Sequence, residues 1–243
     1  MEGYGPATYG DRIAETYDEL YRDALDTDGA VEALAELAAG GPVLELAIGT
    51  GRLALPLAER GLEVHGIDAS ERMVAKLRAK PGGEAIPVTM GDFADVGVDD
   101  TYRVIFVAFN TLFALLTQED QLRCFANAAE HLADGGVFVV EAFFPDLARF
   151  DRYQRAQVNH VEVGRVGIEA SRHDPVEQRV DSQYIVFSEE GTKLFPVSVR
   201  YAFPSELDLM ARLAGLRLRE RWGGWRREPF TAESGRHVSV YGR

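Results

Sequence analysis

Glu45, Asp68 and Asp92 lie in or just after three short apolar runs, PVLELA, LEVHGID and AIPVTM, and Gly49 and Gly51 follow the first of these runs. A strand, a glycine turn and a helix together make a place to hold a nucleotide. The helix amino terminus offers free N–H groups and a partial positive charge. Glycine lacks Cβ, so the backbone at Gly49 and Gly51 can come close to a ligand. Asp68 is placed to accept hydrogen bonds from both ribose hydroxyls. Asp92 can accept from an adenine amino group, and the ring of Phe93 can pack on the base. Gly49-x-Gly51-x-x-Ala54 also fits the dinucleotide pattern. Glu45, however, puts negative charge where a pyrophosphate would lie, which suits a ligand carrying an ammonium and a sulfonium better than it suits NAD.

The elements that must position these residues alternate. An amphipathic helix is expected over residues 8–21, with Ile13, Tyr17, Leu20 and Tyr21 at helical spacing, and a second over 30–39. Then come PVLELA, the helix RLALPLAERG, the strand LEVHGID, a helix capped by Ser70, the strands AIPVTM and TYRVIFVAF, a helix opened by Thr117-x-x-Asp120, and the strand VFVVEAFF. Strands this apolar, separated by helices, belong to a parallel sheet covered on both faces. After Pro145 the rhythm breaks. Three runs, about 158–171, 176–187 and 194–203, read as strands joined by the turns HDPVE and SEEGTK. They should pair antiparallel as a lid or interface. Ser205-x-x-Asp208 is expected to cap the helix ELDLMARLAG, and strands of about 216–222 and 237–242 close the chain. Arg217, Arg219 and Arg221 alternate along the first of these, as on a solvated face.

The 243 residues suit one large domain, and the net charge of −13 disfavours nucleic acid and anionic lipid as partners. No apolar run approaches the length of a membrane span, and no basic, then apolar, leader opens the chain. The single cysteine, Cys124, cannot form an internal disulfide, so a reducing cytoplasm is the expected location. No metal-binding pattern is visible. The sequence leaves the oligomeric state open, a homodimer included.

The stretches VLELAIGTGRLALPLAERG, VHGIDASERM, MGDFADV, YRVIFVAFNTLFAL and HLADGGVFVVEAF, spread over residues 40–144, resemble the class I S-adenosylmethionine-dependent methyltransferases in order and spacing. The resemblance implies a Rossmann-like α/β fold: a seven-stranded, mostly parallel sheet with a closing antiparallel hairpin, here carrying a three-stranded antiparallel insertion. It implies a single domain over 1–243, with cap helices in 7–39 and the lid in 150–203. Carried over by position, Glu45, Ala47 and Gly49 line the methionine moiety of S-adenosylmethionine with Gly51 close by, Asp68 binds the ribose, Ala69 and Met73 cover one adenine face, Asp92 and Phe93 hold the other side, and Phe109 and Asn110 flank the sulfonium. Ala47 stands where the family turn often has its first glycine, and an alanine there calls for ordinary φ/ψ and a slightly different turn.

IAETYDELY also looks like members that methylate amino sugars and other small metabolites, in which a tyrosine-bearing first helix closes over the cofactor. Tyr9, Tyr17 and Tyr21 are the candidates, with Arg52 as a clamp for a carboxylate or for that helix. On the acceptor side the candidates are Asn110, Glu141 and the insertion histidines His160 and His173, with Tyr201, Trp222 and Trp225 as pocket walls or hairpin packing. The expected activity is methyl transfer to a small-molecule acceptor, on nitrogen or oxygen rather than carbon, with a role in natural-product tailoring. A nicotinamide-dependent oxidoreductase and a non-catalytic binding protein of the same fold are the alternatives.

Overall fold

The computed structural model describes residues 1–22, 24–95 and 97–243; Asp23, in the expected cap segment, and Val96, in one of the matched stretches, lie outside the described residues. The alternating pattern folds as expected: β1 (Val43–Leu46), α4 (Ala54–Glu59), β2 (Val64–Asp68), α5 (Glu71–Arg78), β3 (Val88–Met90), β4 (Tyr102–Val107), α6 (Gln118–Glu130) and β5 (Leu132–Phe143) follow three amino-terminal helices, α1 (Thr8–Ile13), α2 (Tyr17–Tyr21) and α3 (Thr27–Ala38). The carboxyl-terminal part adds α7 (Pro204–Leu213), β10 (Arg217–Trp222) and β11 (Arg236–Gly242). Together they make a seven-stranded sheet in the order β10-β11-β5-β4-β1-β2-β3. β11 runs antiparallel to both neighbours, and the pairs among β1 to β5 are parallel.

The core follows from the pleat. Ile105 and Val107 of β4 enter one apolar cluster with Leu44, Phe125 and Phe138, under α6 and α7. Val104 and Phe106 enter the other, with Leu34, Val43, Leu57 and Val139, under α3 and α4. A strand apolar on both faces is thus buried on both. β1 lies between β2 and β4, so the strand order reverses beside it, which is where ligands bind in open sheets of this kind. Side-chain caps fix the helix starts around that edge: Ser70 Oγ accepts the Met73 N–H and Thr117 Oγ1 the Asp120 N–H.

Several details depart from the sequence reading. The helix expected over 8–21 is two, α1 and α2, because residues 14–16 leave the helical ladder. The insertion has four strands rather than three: β6 (Gln154–Glu162), β7 (Arg165–Asp174), β8 (Arg179–Ser188) and β9 (Gly191–Arg200), an antiparallel meander. Its first run, read as one strand, turns back at Val163-Gly164, where Gly164 takes φ +83°. α7 starts at Pro204 without a side-chain cap, since proline at the first helical position is already set for the helix. Asp208, expected in a capping box, instead holds Arg221 at 2.6 Å. Arg221 is therefore not on a solvated face; a register shift between Leu218 and Glu220 turns it toward Asp208 and Tyr241.

Candidate active site

The turn after β1 brings the backbone into an unusual shape: Ala47, Gly49 and Gly51 all have positive φ, at +59°, +57° and +79°. Ala47 therefore does not keep ordinary φ/ψ. It adopts the glycine-like conformation at a cost of roughly 1–2 kcal/mol, and the turn keeps its shape. Asp68 fixes that turn from the next strand. Its Oδ2 accepts the Gly49 N–H at 2.7 Å and its Oδ1 the Ser70 N–H at 2.8 Å. Burial raises the Asp68 carboxyl above its ordinary value against these two bonds.

Glu45 is 5 % exposed at the base of the turn, and burial pushes its carboxyl up to about 8, with the Arg52 guanidinium pulling the other way and Asp68 reinforcing the rise. Glu45 Oε2 and Arg52 Nε are buried polar atoms with no partner among the described residues. Such atoms are expensive to leave unpaired and mark where a ligand's own charges fit. Burial also raises the Tyr17 hydroxyl to about 12, although Arg52 lies beside it.

The amino-terminal helices close this pocket from above. Ser70 Oγ donates to Asp11 at 2.6 Å, Thr50 Oγ1 donates to Asp18 at 2.6 Å, and Lys80 ties Asp18 to the turn by bonding Thr50 O at 2.8 Å. Gly10 makes the approach feasible, because a Cβ there would lie 2.7 Å from Ser70 Cβ. Tyr9 and Tyr21 share a hydroxyl contact of 3.1 Å, and the Tyr21 ring meets Phe109 edge-on at 4.8 Å.

At the end of β4, Phe109 and Asn110 are both left-handed, at φ +52° and +64°. Three bonds hold them: Glu141 Oε2 accepts the Phe109 N–H at 2.7 Å, Glu141 O accepts the Asn110 N–H, and Asn110 Oδ1 accepts the Phe143 N–H at 2.6 Å. Glu141 and Asn110, expected at the acceptor, have these oxygens turned onto the backbone. Strain held in this way concentrates at functional sites.

One cavity of about 510 Å³ joins these parts. Its walls include Tyr17, Tyr21, Glu45, Ala47, Gly49, Arg52, Asp68, Ala69, Met73, Asp92, Phe93, Phe109 and Asn110, so the structure gathers nearly all the residues singled out for the nucleotide. Gly51 stays just outside, where an added Cβ would meet Leu77 and Leu55, and Glu141 bonds the cavity wall through the backbone of Phe109 and Asn110. Asp92 spends one oxygen on the Ala94 N–H. His160 is not brought to the cavity: it lies on the edge strand β6, opposite Gly167 and behind Tyr184. His173 is buried behind Tyr201, which does line the cavity, and bonds its hydroxyl at 2.9 Å. Trp222 and Trp225 pack into the core beneath α3 instead. The sequence reading missed Arg149, Phe150, Glu169 and Ser182, all on the cavity wall. The period-two spacing of Gly167, Glu169, Ser171 and His173 was a signal for Glu169 alone.

Residues 43–136 match the family model described as a methyltransferase domain. The structure of the CcbJ methyltransferase from Streptomyces caelestis superposes with a TM-score of 0.90, at 46 % identity over 98 % of each chain. The chain belongs to the S-adenosylmethionine-dependent methyltransferases. The cypemycin N-terminal methyltransferase of Streptomyces sp is 29 % identical over 234 residues, spanning 94 % of this chain and 95 % of its own. The S-adenosylmethionine-bound structure of CalS10, an amino pentose methyltransferase from Micromonospora echinaspora, shares the fold with a TM-score of 0.66 at 21 % identity, over 93 % and 96 % of the two chains. This methyltransferase is thus Rossmann-like and takes S-adenosylmethionine as its cofactor, and the oxidoreductase alternative falls away.

Bound, the cofactor supplies an electrophilic methyl group on a sulfonium, and the displacement chemistry is its own. The protein's part is to bind, align and dry the site. The orphaned Glu45 and Arg52 atoms fit an amino-acid tail with one ammonium and one carboxylate. The tyrosines of α1 and α2 and the Phe109–Asn110 corner line the same cavity.

Proposed function

We propose that this methyltransferase alkylates an amine nitrogen of a small molecule, in the tailoring of a natural product. The observation that carries this reading is the extent of the cavity. It continues past Phe109 and Asn110 to the inner face of the second sheet, where Val197, Val199, Tyr201 and Leu147 give it an apolar wall suited to an organic acceptor. The relatives named for their chemistry act on an N-terminus and are named for an amino pentose, which favours nitrogen over oxygen. In this reading β6 to β9 form the acceptor lid, α1 and α2 the cofactor cap, and the chain works as one domain. Asp68 takes the ribose, Asp92 and Phe93 the base, and Glu45 the cofactor's ammonium. No helix among the described residues is long and apolar enough to cross a membrane, and the net charge of −13 disfavours nucleic acid as the acceptor.

The test is transfer of a trideuteromethyl group from labelled S-adenosylmethionine to a panel of amino sugars and amino-acid amides, each beside its hydroxy analogue, read by mass spectrometry. Labelled N-methyl product from at least one amine, with its hydroxy analogue untouched, is the expected result. Label on the hydroxy compounds alone would sink the amine reading.

A further inference from the structure

Glu169 is the one acidic side chain that β7, β8 and β9 turn toward the cavity, among the described residues. The pleat places Gly167, Glu169, Ser171 and His173 on one face of β7, and the register sets beside them Val180, Ser182 and Tyr184 of β8 and Val197 and Val199 of β9. The other residues of these strands that line the cavity, Val180, Ser182, Val197, Ser198 and Val199, are apolar or hydroxylic. A partly buried carboxylate in such a place needs partners, and all of those it has reach a single oxygen. Oε1 accepts from Ser171 Oγ at 2.9 Å and from Arg149 Nη2 at 3.4 Å, with Ser182 Oγ 3.4 Å away. Oε2 accepts from nothing among the described residues. Ser182 Oγ donates in turn to Ser171 Oγ at 2.8 Å, so the hydroxyl that bonds Glu169 is itself held and fixes the Glu169 rotamer.

The carboxylate also faces the reacting end of the cavity. Glu169, Tyr21 and Phe109 line the same cavity, burial raises the Tyr21 hydroxyl with a smaller push from the Glu169 charge, and the Tyr21 ring packs on Phe109, at the corner where β4 ends. Arg149 does not neutralise it well. The contact is long and single, and the two side chains are 35 % and 25 % exposed, a setting in which ion pairs contribute little.

We propose that Glu169 is the specificity-determining residue for the acceptor: its free Oε2 accepts a hydrogen bond from the protonated amine, so that the site selects a cationic amine over a neutral isostere, and it then takes that proton and passes it to solvent, which frees the nitrogen lone pair to displace S-adenosylhomocysteine from the methyl. This rests on the amine reading above and adds the residue that enforces it. A hydrogen bond to a charged group in a partly desolvated site, set against the same contact made by a neutral side chain, corresponds to a difference of about 10- to 100-fold in affinity.

The experiment uses Glu169→Gln, which keeps an amide oxygen for Ser171, and Arg149→Met, which removes the competing cation. For each variant the quantities are KM and kcat for the amine that turns over in the panel, calorimetric binding of that amine and of its hydroxy analogue to protein saturated with S-adenosylhomocysteine, and the affinity for S-adenosylhomocysteine alone. In Glu169→Gln, KM and the dissociation constant for the amine are expected to rise 10- to 100-fold, with S-adenosylhomocysteine affinity and the hydroxy analogue unaffected. In Arg149→Met, amine binding is expected to hold or tighten. Equal losses for amine and hydroxy analogue, unchanged amine binding in Glu169→Gln, or weaker amine binding in Arg149→Met would each overturn the assignment while leaving the amine reading intact. A wild-type panel in which only hydroxy compounds turn over would remove the amine reading itself.

Discussion

Glu141→Gln and Glu141→Ala separate two jobs for one buried carboxylate. Glu141 is 5 % exposed, and its Oε2 accepts the Phe109 N–H at 2.7 Å. Replacing it with alanine leaves that backbone donor buried and unpaired, a loss of about 1.5–3 kcal/mol for a bond to a charged acceptor. Phe109 sits about 1–2 kcal/mol above the right-handed region, and Asn110, of a type that tolerates the left-handed one, by less. Their relaxation recovers part of that energy if the corner gives way. The remaining two bonds, Asn110 N–H to Glu141 O and Phe143 N–H to Asn110 Oδ1, limit how far it can go. The net expectation for Glu141→Ala is a destabilisation of about 1–2 kcal/mol, on the order of 2–8 °C in Tm for a chain of this size. Glutamine keeps an oxygen in the same place without a buried charge, so Glu141→Gln should cost less than about 1 kcal/mol. Differential scanning calorimetry reads both. Methyl transfer should follow geometry: near wild-type kcat in Glu141→Gln, and at least a tenfold loss in Glu141→Ala as the corner beside the methyl loosens. If Glu141→Gln abolished transfer at unchanged Tm, the charge would be chemical and the positioning role wrong. A wild-type Tm in Glu141→Ala would refute the bond's contribution directly.

Two further predictions concern the cofactor end. Glu45 carries a carboxyl raised to about 8 by burial, so the cofactor-free protein holds a proton that the unfolded chain has given up. Its contribution to stability is complete below the ordinary carboxylate range and is lost as pH rises through about 8. Urea denaturation from pH 5 to 9 should show that decline in the wild type and a flatter profile in Glu45→Gln; parallel profiles would contradict it. In Asp68→Asn only one side-chain oxygen remains for two backbone donors, the Gly49 and Ser70 N–H groups. Stability should fall by about 1–3 kcal/mol and calorimetric affinity for S-adenosylhomocysteine at least tenfold; retained affinity would remove Asp68 from the ribose.

Much of the site was legible because its chemistry sits where patterns end. Glu45, Asp68 and Asp92 are found at the carboxyl ends of three apolar runs, and parallel pairing brings those ends to one edge without any need to know the register. What escaped depends on register or on backbone conformation. Ala47 looked like a departure because composition cannot show that a turn will impose φ +59° on a residue with a Cβ. Residues 158–171 read as one strand because valines persist through Val158, Val161 and Val163, and nothing but Gly164 marks the reversal. With that hairpin missed, the inner face of β7 had no assignment, and Glu169 stayed hidden among exposed charges. The place of Glu141 at the end of the fifth apolar run did send that residue toward the carboxyl edge of the sheet. It could not show that the side chain bends onto the neighbouring strand's Phe109 N–H.

The two strand ends that frame the cavity solve one physical problem in the same way. β1 and β4 each finish in a left-handed corner, at Ala47 and at Phe109–Asn110, and each corner exposes a backbone N–H that its own strand cannot satisfy. In both cases a buried carboxylate from the adjacent strand accepts that N–H: Asp68 of β2 for Gly49, Glu141 of β5 for Phe109. Burying either charge is unfavourable by itself. The strained corner and the desolvated carboxylate therefore depend on each other, and neither is stable alone. Substituting one carboxylate should thus disturb the shape of the cavity wall as well as its charge. Loss of activity in such a variant is evidence of a chemical role only when the corner is shown to have kept its place.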